Sequence, residues 1–185
     1  MATVTIESTR FGTVEIDDSI EIALDQGMIG FPHLGRYAIL KQREDSVFMW
    51  LHSVEDASLA FPIVLPWVFY WDYEVDLSDA DMAAIGVERA DQISIYCVVN
   101  VGADVRGASI NLFSPIVVNN CDRRARQVIN TIAGYSTRDR LFRETDSPTR
   151  PDGNETKETF VSLDTTNGQE VDAGTLAADL VWTEY

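Results

Sequence analysis

Asp72, Glu74 and Asp76 stand at every second position of a short acidic run in which Tyr73 and Val75 alternate with them. In an extended strand this spacing lines three carboxylates along one face. Such a row can hold a hard cation through its oxygens, serve as a solvated strand face, or form an edge on which another protein docks. The glycine and backbone-carbonyl framework of a calcium loop does not accompany it. The two histidines, His33 and His52, fall into none of the HxH, HExxH or H-x₃₋₅-H spacings that bring two imidazoles to one metal. No GxSxG elbow, P-loop or GxGxxG fingerprint occurs, and the Gly27/Gly30 pair precedes Phe31 and Pro32 instead of a helix. The residues therefore read as those of a non-enzymatic protein without metal or cofactor. Arg123, Arg124 and Arg126 are the one basic cluster, better suited to bracing a turn within an acidic chain than to contacting RNA.

The elements that must position these residues are organised around an apolar stretch at 59–73, interrupted by Pro62 and Pro66. The prolines forbid a continuous helix, and the run is too short to span a bilayer. It reads as a buried strand, bent twice, whose Phe61, Ile63, Leu65, Trp67, Phe69 and Trp71 would each cost about 1.5–3 kcal/mol if left in water. Before it, Val4 and Ile6 alternate toward Val14 and Ile16 across an Arg10, Phe11, Gly12 corner, which predicts a hairpin. Ile20, Ile22 and Leu24 keep the period of two, residues 27–32 form a shaped loop, and strands are expected at 37–41 and 47–52. After it, Ser78 as cap, Asp79 and Asp81 in the first turn and Gly86 at the end predict a short helix. Strands follow at 92–101, with Cys97 buried, at 109–113, 116–118 and 127–132, and a further one at 135–137. About nine short strands and one helix predict an all-β fold, a closed or nearly closed antiparallel barrel.

Thirty acidic against fourteen basic residues leave a net charge of −16 over 185 residues. That field opposes any phosphate backbone, so direct nucleic-acid binding is not expected, while a basic protein would be attracted. Cys97 and Cys121 lack a CxxC spacing and read as free thiols. With neither a signal peptide nor a membrane helix in the sequence, the expected setting is the cytoplasm, away from any membrane. Residues 1–142 are expected to form the barrel. Residues 143–185 form an acidic extension: an apolar-free linker at 143–158, then a possible hairpin or docked segment at 159–185, separable from the barrel. An alternative role is a small-ligand barrel in which Trp50, Phe61, Trp67 and Phe69 line a cavity, although the same residues also suit plain core packing.

The succession of Gly27 to Pro32, Trp50 to Asp56, Leu59 to Pro62, Asp72 to Glu74, Ser114 to Asn119, Arg126 to Val128 and Tyr135 to Arg138 resembles the flagellar assembly factor family FliW over about residues 3–142. The resemblance implies a β-barrel-like binding protein of flagellated bacteria. Its implied partners are newly made flagellin and CsrA, the dimeric RNA-binding repressor of flagellin translation, each displacing the other. The extension at 143–185 has no counterpart in the family pattern. The docking surface is expected to include Asp72, Tyr73, Glu74 and Asp76 together with Ser114, Pro115, Asn119 and Asn120, and the chain is expected to be monomeric when alone.

Overall fold

The alternating segments close into a ring. The computed structural model describes residues 2–102 and 105–142. Strands β1 (Thr3–Ser8) and β2 (Gly12–Asp17) form the hairpin turned by Arg10 and Phe11. Next come β3 (Glu21–Asp25), β4 (Arg36–Leu40), β5 (Met49–Ser53), β6 (Ala60–Val64), β7 (Ile93–Asn100), β8 (Ser109–Ile110), β9 (Ile116–Asn119), β10 (Arg124–Gln127) and β11 (Asp139–Arg140). Pairing runs β7-β6-β5-β4-β3-β10-β9, and β9 returns to β7, so seven strands make a closed barrel. Closure gives these backbones partners on both sides. All of its ladders are antiparallel except β3 with β10. Strands β8 and β11 extend outward from the end of β7.

Strand alternation sorts the apolar residues onto the two sides of this ring. Ile22, Tyr37, Leu51, Ile63, Val98 and Val118, drawn from six of its strands, form one buried cluster that must be the interior. Their sequence neighbours face outward, and two separate pieces of chain cover them. Hairpin β1–β2 lays Ile6 and Ile16 over Ala38, Leu40 and Trp50. The segment after β6 and the last described residues bring Tyr70, Tyr73, Ile85 and Leu141 over Val64, Cys97 and Val117. Strand β5 is consequently buried at every position, Met49 and Leu51 inside, Trp50 and His52 under the hairpin.

The one α-helix among the described residues, α1 (Asp79–Ala84), begins where expected: the Asp81 amide donates to Ser78 Oγ at 3.1 Å. It stops at Gly86, whose φ of +68° and closeness to the Arg124 guanidinium leave no room for a Cβ. Three sequence expectations change. Only the first third of the 59–73 stretch is a strand; Pro66 then starts a 3₁₀ turn (Pro66–Val68), because a proline supplies no ladder donor, and the chain continues without regular structure to Ser78. Several of its large side chains are also not covered: Leu65 is 38% exposed, Trp67 43% and Trp71 68%. At the other end, β10 stops at Gln127 and no strand forms at 135–137, where turns and side-chain bonds replace a ladder. The proposed extension at 143–185 lies outside the described residues.

Candidate docking surface

Asp72 ends a turn closed by the Tyr73 amide donating to the Tyr70 carbonyl at 2.9 Å, and residues 73–76 follow without belonging to a sheet. Asp72, Glu74 and Asp76 are exposed while Tyr73 is buried and Val75 half-buried, so the alternation read from the sequence holds. The strand expected to carry it is absent, and side chains stand in for the missing ladder. The Glu74 amide donates to Tyr135 Oη at 3.0 Å and the Asp76 amide to Asn130 Oδ1 at 3.3 Å. Asn130 Nδ2 donates to the Glu74 carbonyl at 2.8 Å, and the Thr131 hydroxyl to the Asp76 carboxylate at 2.8 Å. Asn130 is fully buried and also serves Tyr73 Oη and the Ile132 amide, so one amide side chain organises the acidic row. Sequence reasoning missed Asn130. Its position directly after Val128 and Ile129 looked like the polar side of a strand.

Tyr73 is a structural anchor. Its hydroxyl donates to the Leu112 carbonyl at 2.9 Å, its ring lies 4.8 Å from that of Tyr135, and burial pushes its pKa well above the ordinary value. Burial likewise pushes the Cys97 thiol up to about 12. Ser114 and Pro115 are buried too: the Ser114 amide donates to Asn111 Oδ1 at 2.9 Å and its hydroxyl to the Val128 carbonyl at 3.2 Å. Asn119, also buried, donates to the Ile85 carbonyl at 2.9 Å and accepts from the Cys121 amide at 2.8 Å. Asn120 remains exposed and accepts from Ser94.

The candidate residues thus fall into two places. Val128 and Asn130 join the Ser114 turn to the acidic row, and Gln127 adds the shaped loop by accepting from the Ile29 amide at 2.8 Å while donating to the Ser114 carbonyl at 3.1 Å. Around this junction Ile29, Phe113 and Ile129 are exposed. Gln127 and Asn130 thus tie the segments that expose these three apolar side chains to the segment that carries Glu74 and Asp76. Asn119 and Asn120 lie at the far end of β9, roughly 15 Å of strand away, beside the end of α1. The loop geometry that presents Ile29 depends on Gly27, with φ of +64° and a position where a Cβ would meet the Phe31 carbonyl oxygen at 2.4 Å.

Other candidates resolve into structure. Arg124 donates to the Ala84 carbonyl, and Arg126 lies 3.4 Å from both Asp25 and Asp81, so the basic cluster ties α1 to the barrel. His52 is buried between Ser8 Oγ at 2.7 Å and the Ser53 carbonyl at 2.6 Å. Among the described residues no three His, Cys, Asp or Glu side chains gather as a metal site. Trp50 packs under the hairpin, Phe61 against Phe31, and Phe69 against Phe48, so the aromatics of the small-ligand alternative do not share a cavity.

Comparison with known proteins extends over this whole body. The FliW protein family model matches residues 5–141. The flagellar assembly factor FliW of Ruminiclostridium cellulolyticum is 36% identical over 140 residues, covering 75% of this chain and 95% of the relative. That of Natranaerobius thermophilus is 31% identical over 140 residues, covering 75% and 93%. A crystal structure of the flagellar assembly factor FliW superposes with a TM-score of 0.71 at 28% identity, covering 76% of this chain and 98% of the other.

Proposed function

Since this chain belongs to the FliW family, we propose that it binds newly made flagellin in the cytoplasm and, in exchange, CsrA, so that flagellin export releases it to antagonise translational repression. It acts by binding, with no catalytic step of its own. The observation that carries the reading is that Gln127 and Asn130 tie the segments exposing Ile29, Phe113 and Ile129 to the segment that exposes Glu74 and Asp76. An apolar centre can desolvate a partner, and an acidic flank on a chain of net charge −16 speeds encounter with a basic one. Of the eight residues singled out in the sequence, Asp72, Glu74, Asp76 and Asn120 offer contact, while Tyr73, Ser114, Pro115 and Asn119 hold the surface from beneath.

Exclusivity is tested by titrating purified CsrA into a preformed complex with flagellin and following both by calorimetry and size-exclusion chromatography. Displacement is expected; a ternary complex with both ligands undiminished would refute the exchange. Glu74→Lys is expected to slow CsrA association several-fold at low salt, and raised salt to do the same to the unaltered protein. Unchanged on-rates in both arms would remove the acidic row from the interface.

A further inference from the structure

On the other side of the acidic row lies an open apolar groove of about 350 Å³, walled by Trp67, Val75, Leu77, Met82, Ile93 and Ile95. Glu74 and Asp76 are exposed to solvent while Val75 and Leu77, alternating with them, line the groove. Trp67 is held upright at its mouth by donating to the Tyr73 carbonyl at 3.0 Å, and keeps 43% of its surface exposed. Leu65 and Trp71, two and four residues from Trp67 in the chain, are exposed as well.

We propose that this groove is the docking site of the chain's own C-terminal segment at 174–183, seated through Leu176, Leu180, Val181 and Trp182. The first support is where the body ends. Tyr70 Oη donates to the Arg140 carbonyl at 2.6 Å and the ring of Phe142 lies 6.1 Å from that of Phe69. The last described residues are therefore fastened to the same piece of chain that carries Leu65, Trp67 and Trp71. The second is reach. Thirty-three residues separate Phe142 from Leu176, and a random-coil tether of that length has an end-to-end distance of about 30 Å, enough to return to the groove at an effective concentration on the order of mM.

The third support is selectivity. Asp79 and Glu88 are exposed around the helix that borders the groove, while Asp91 nearby is paired with Arg89, so the first two carboxylates repel acidic stretches of the extension. Residues 174–183 carry a single charge, Asp179, and four large apolar side chains. Finally, the relatives named above are covered to 93–98% by the barrel portion alone, so the extension is an addition to a body that is complete without it. A segment added to such a body and able to bury a Trp and two Leu finds a concave apolar surface on the piece of chain to which the body's last described residues are fastened.

The test uses the full chain. Met82→Cys and Leu180→Cys are combined with Cys121→Ser, leaving Cys97 buried, and oxidation is followed on non-reducing gels and by mass spectrometry. An intramolecular cross-link is expected to form about tenfold faster than in a control with Thr137→Cys in place of Met82→Cys, an exposed position five residues before Phe142 that the tether alone reaches readily. Ala90→Cys, on the rim of the groove, replaces Met82→Cys if the latter disturbs folding. Trp182→Asp, which leaves the body untouched, is expected to lower the rate to that of the control. Equal rates at the groove and at Thr137, disulfide-linked dimers in place of the internal link, or a rate indifferent to Trp182→Asp would each overturn the proposal. No partner protein is present in this experiment, so its outcome is independent of the flagellin and CsrA reading.

Discussion

Two pieces of chain lie over the outside of the same barrel, and they close it off differently. Under hairpin β1–β2, Trp50 is buried, with Phe11 edge-on at 6.0 Å and the Arg10 guanidinium 4.0 Å above its ring. Polar groups there are matched as well: His52 binds Ser8, whose Oγ also accepts from the amides of Arg10 and Phe11 at 3.1 Å. The second cover, residues 65–87, seals Val64, Cys97 and Val117 but leaves Leu65, Trp67 and Trp71 partly in water. A ladder explains the first, since paired strands present a flat, regular face. The second is built from a proline-started 3₁₀ turn and a run outside any sheet, whose side chains need not all reach the barrel. The irregular cover is the one that borders both the groove and the acidic row.

The contrast is broken most directly by comparing tryptophans. Trp50→Ala is expected to cost about 3–5 kcal/mol in urea unfolding, because it empties a filled site. A value near 1 kcal/mol would mean that the hairpin is as loosely applied as the second cover. Asn130→Ala is expected to cost about 2–4 kcal/mol, since it orphans the Asp76 amide and the Glu74 carbonyl together. Hydrogen exchange should then accelerate over 72–76 while the hairpin amides keep their protection.

Alkali gives a third discriminator. The unfolded chain releases the cysteine proton near pH 9, whereas in the folded protein Cys97 holds it until about 12, so above pH 9 the unfolded state binds fewer protons. Stability is complete below that pH and is expected to fall by about 1 kcal/mol per pH unit as it rises toward 12. The raised Tyr73 acts in the same direction. Cys97→Ala should flatten this slope; an unchanged slope would place its origin elsewhere. The smallest effect is expected for Trp67→Ala, within about 1 kcal/mol by the same urea assay, as its ring is already half in water.

Period-two alternation made the hairpin, β4, β5, β7 and the interior legible in the sequence, because each strand offers one face to a core. The helix was legible through Ser78 and Gly86, whose roles are local. What sequence could not show is the covering of the barrel's outside. Trp50 and Trp67 are the same residue in equally apolar surroundings, and only the tertiary pairing of the hairpin decides that one is buried. Asn130 was hidden for a related reason: its partners, Tyr73, Glu74 and Asp76, are distant in sequence and reached only after the ring has closed. The acidic row was visible as chemistry, but its support by side chains instead of a ladder was not.

The parallel pair β3–β10 joins Ala23 to Arg124 and so spans most of the barrel's sequence. A ribosome adding about 5–20 residues per second needs roughly 5–20 s to go from Ala23 to Arg124. Through that interval β3 has β4 on one side and, on the other, an edge whose Ile22 and Leu24 await partners. Such an edge is a template on which a second nascent chain can pair. Closing the ring so late also gives the fold the high contact order of slow-folding β proteins. For this chain, the time of greatest exposure to misassembly falls on the ribosome, before the strand that would end it has been made.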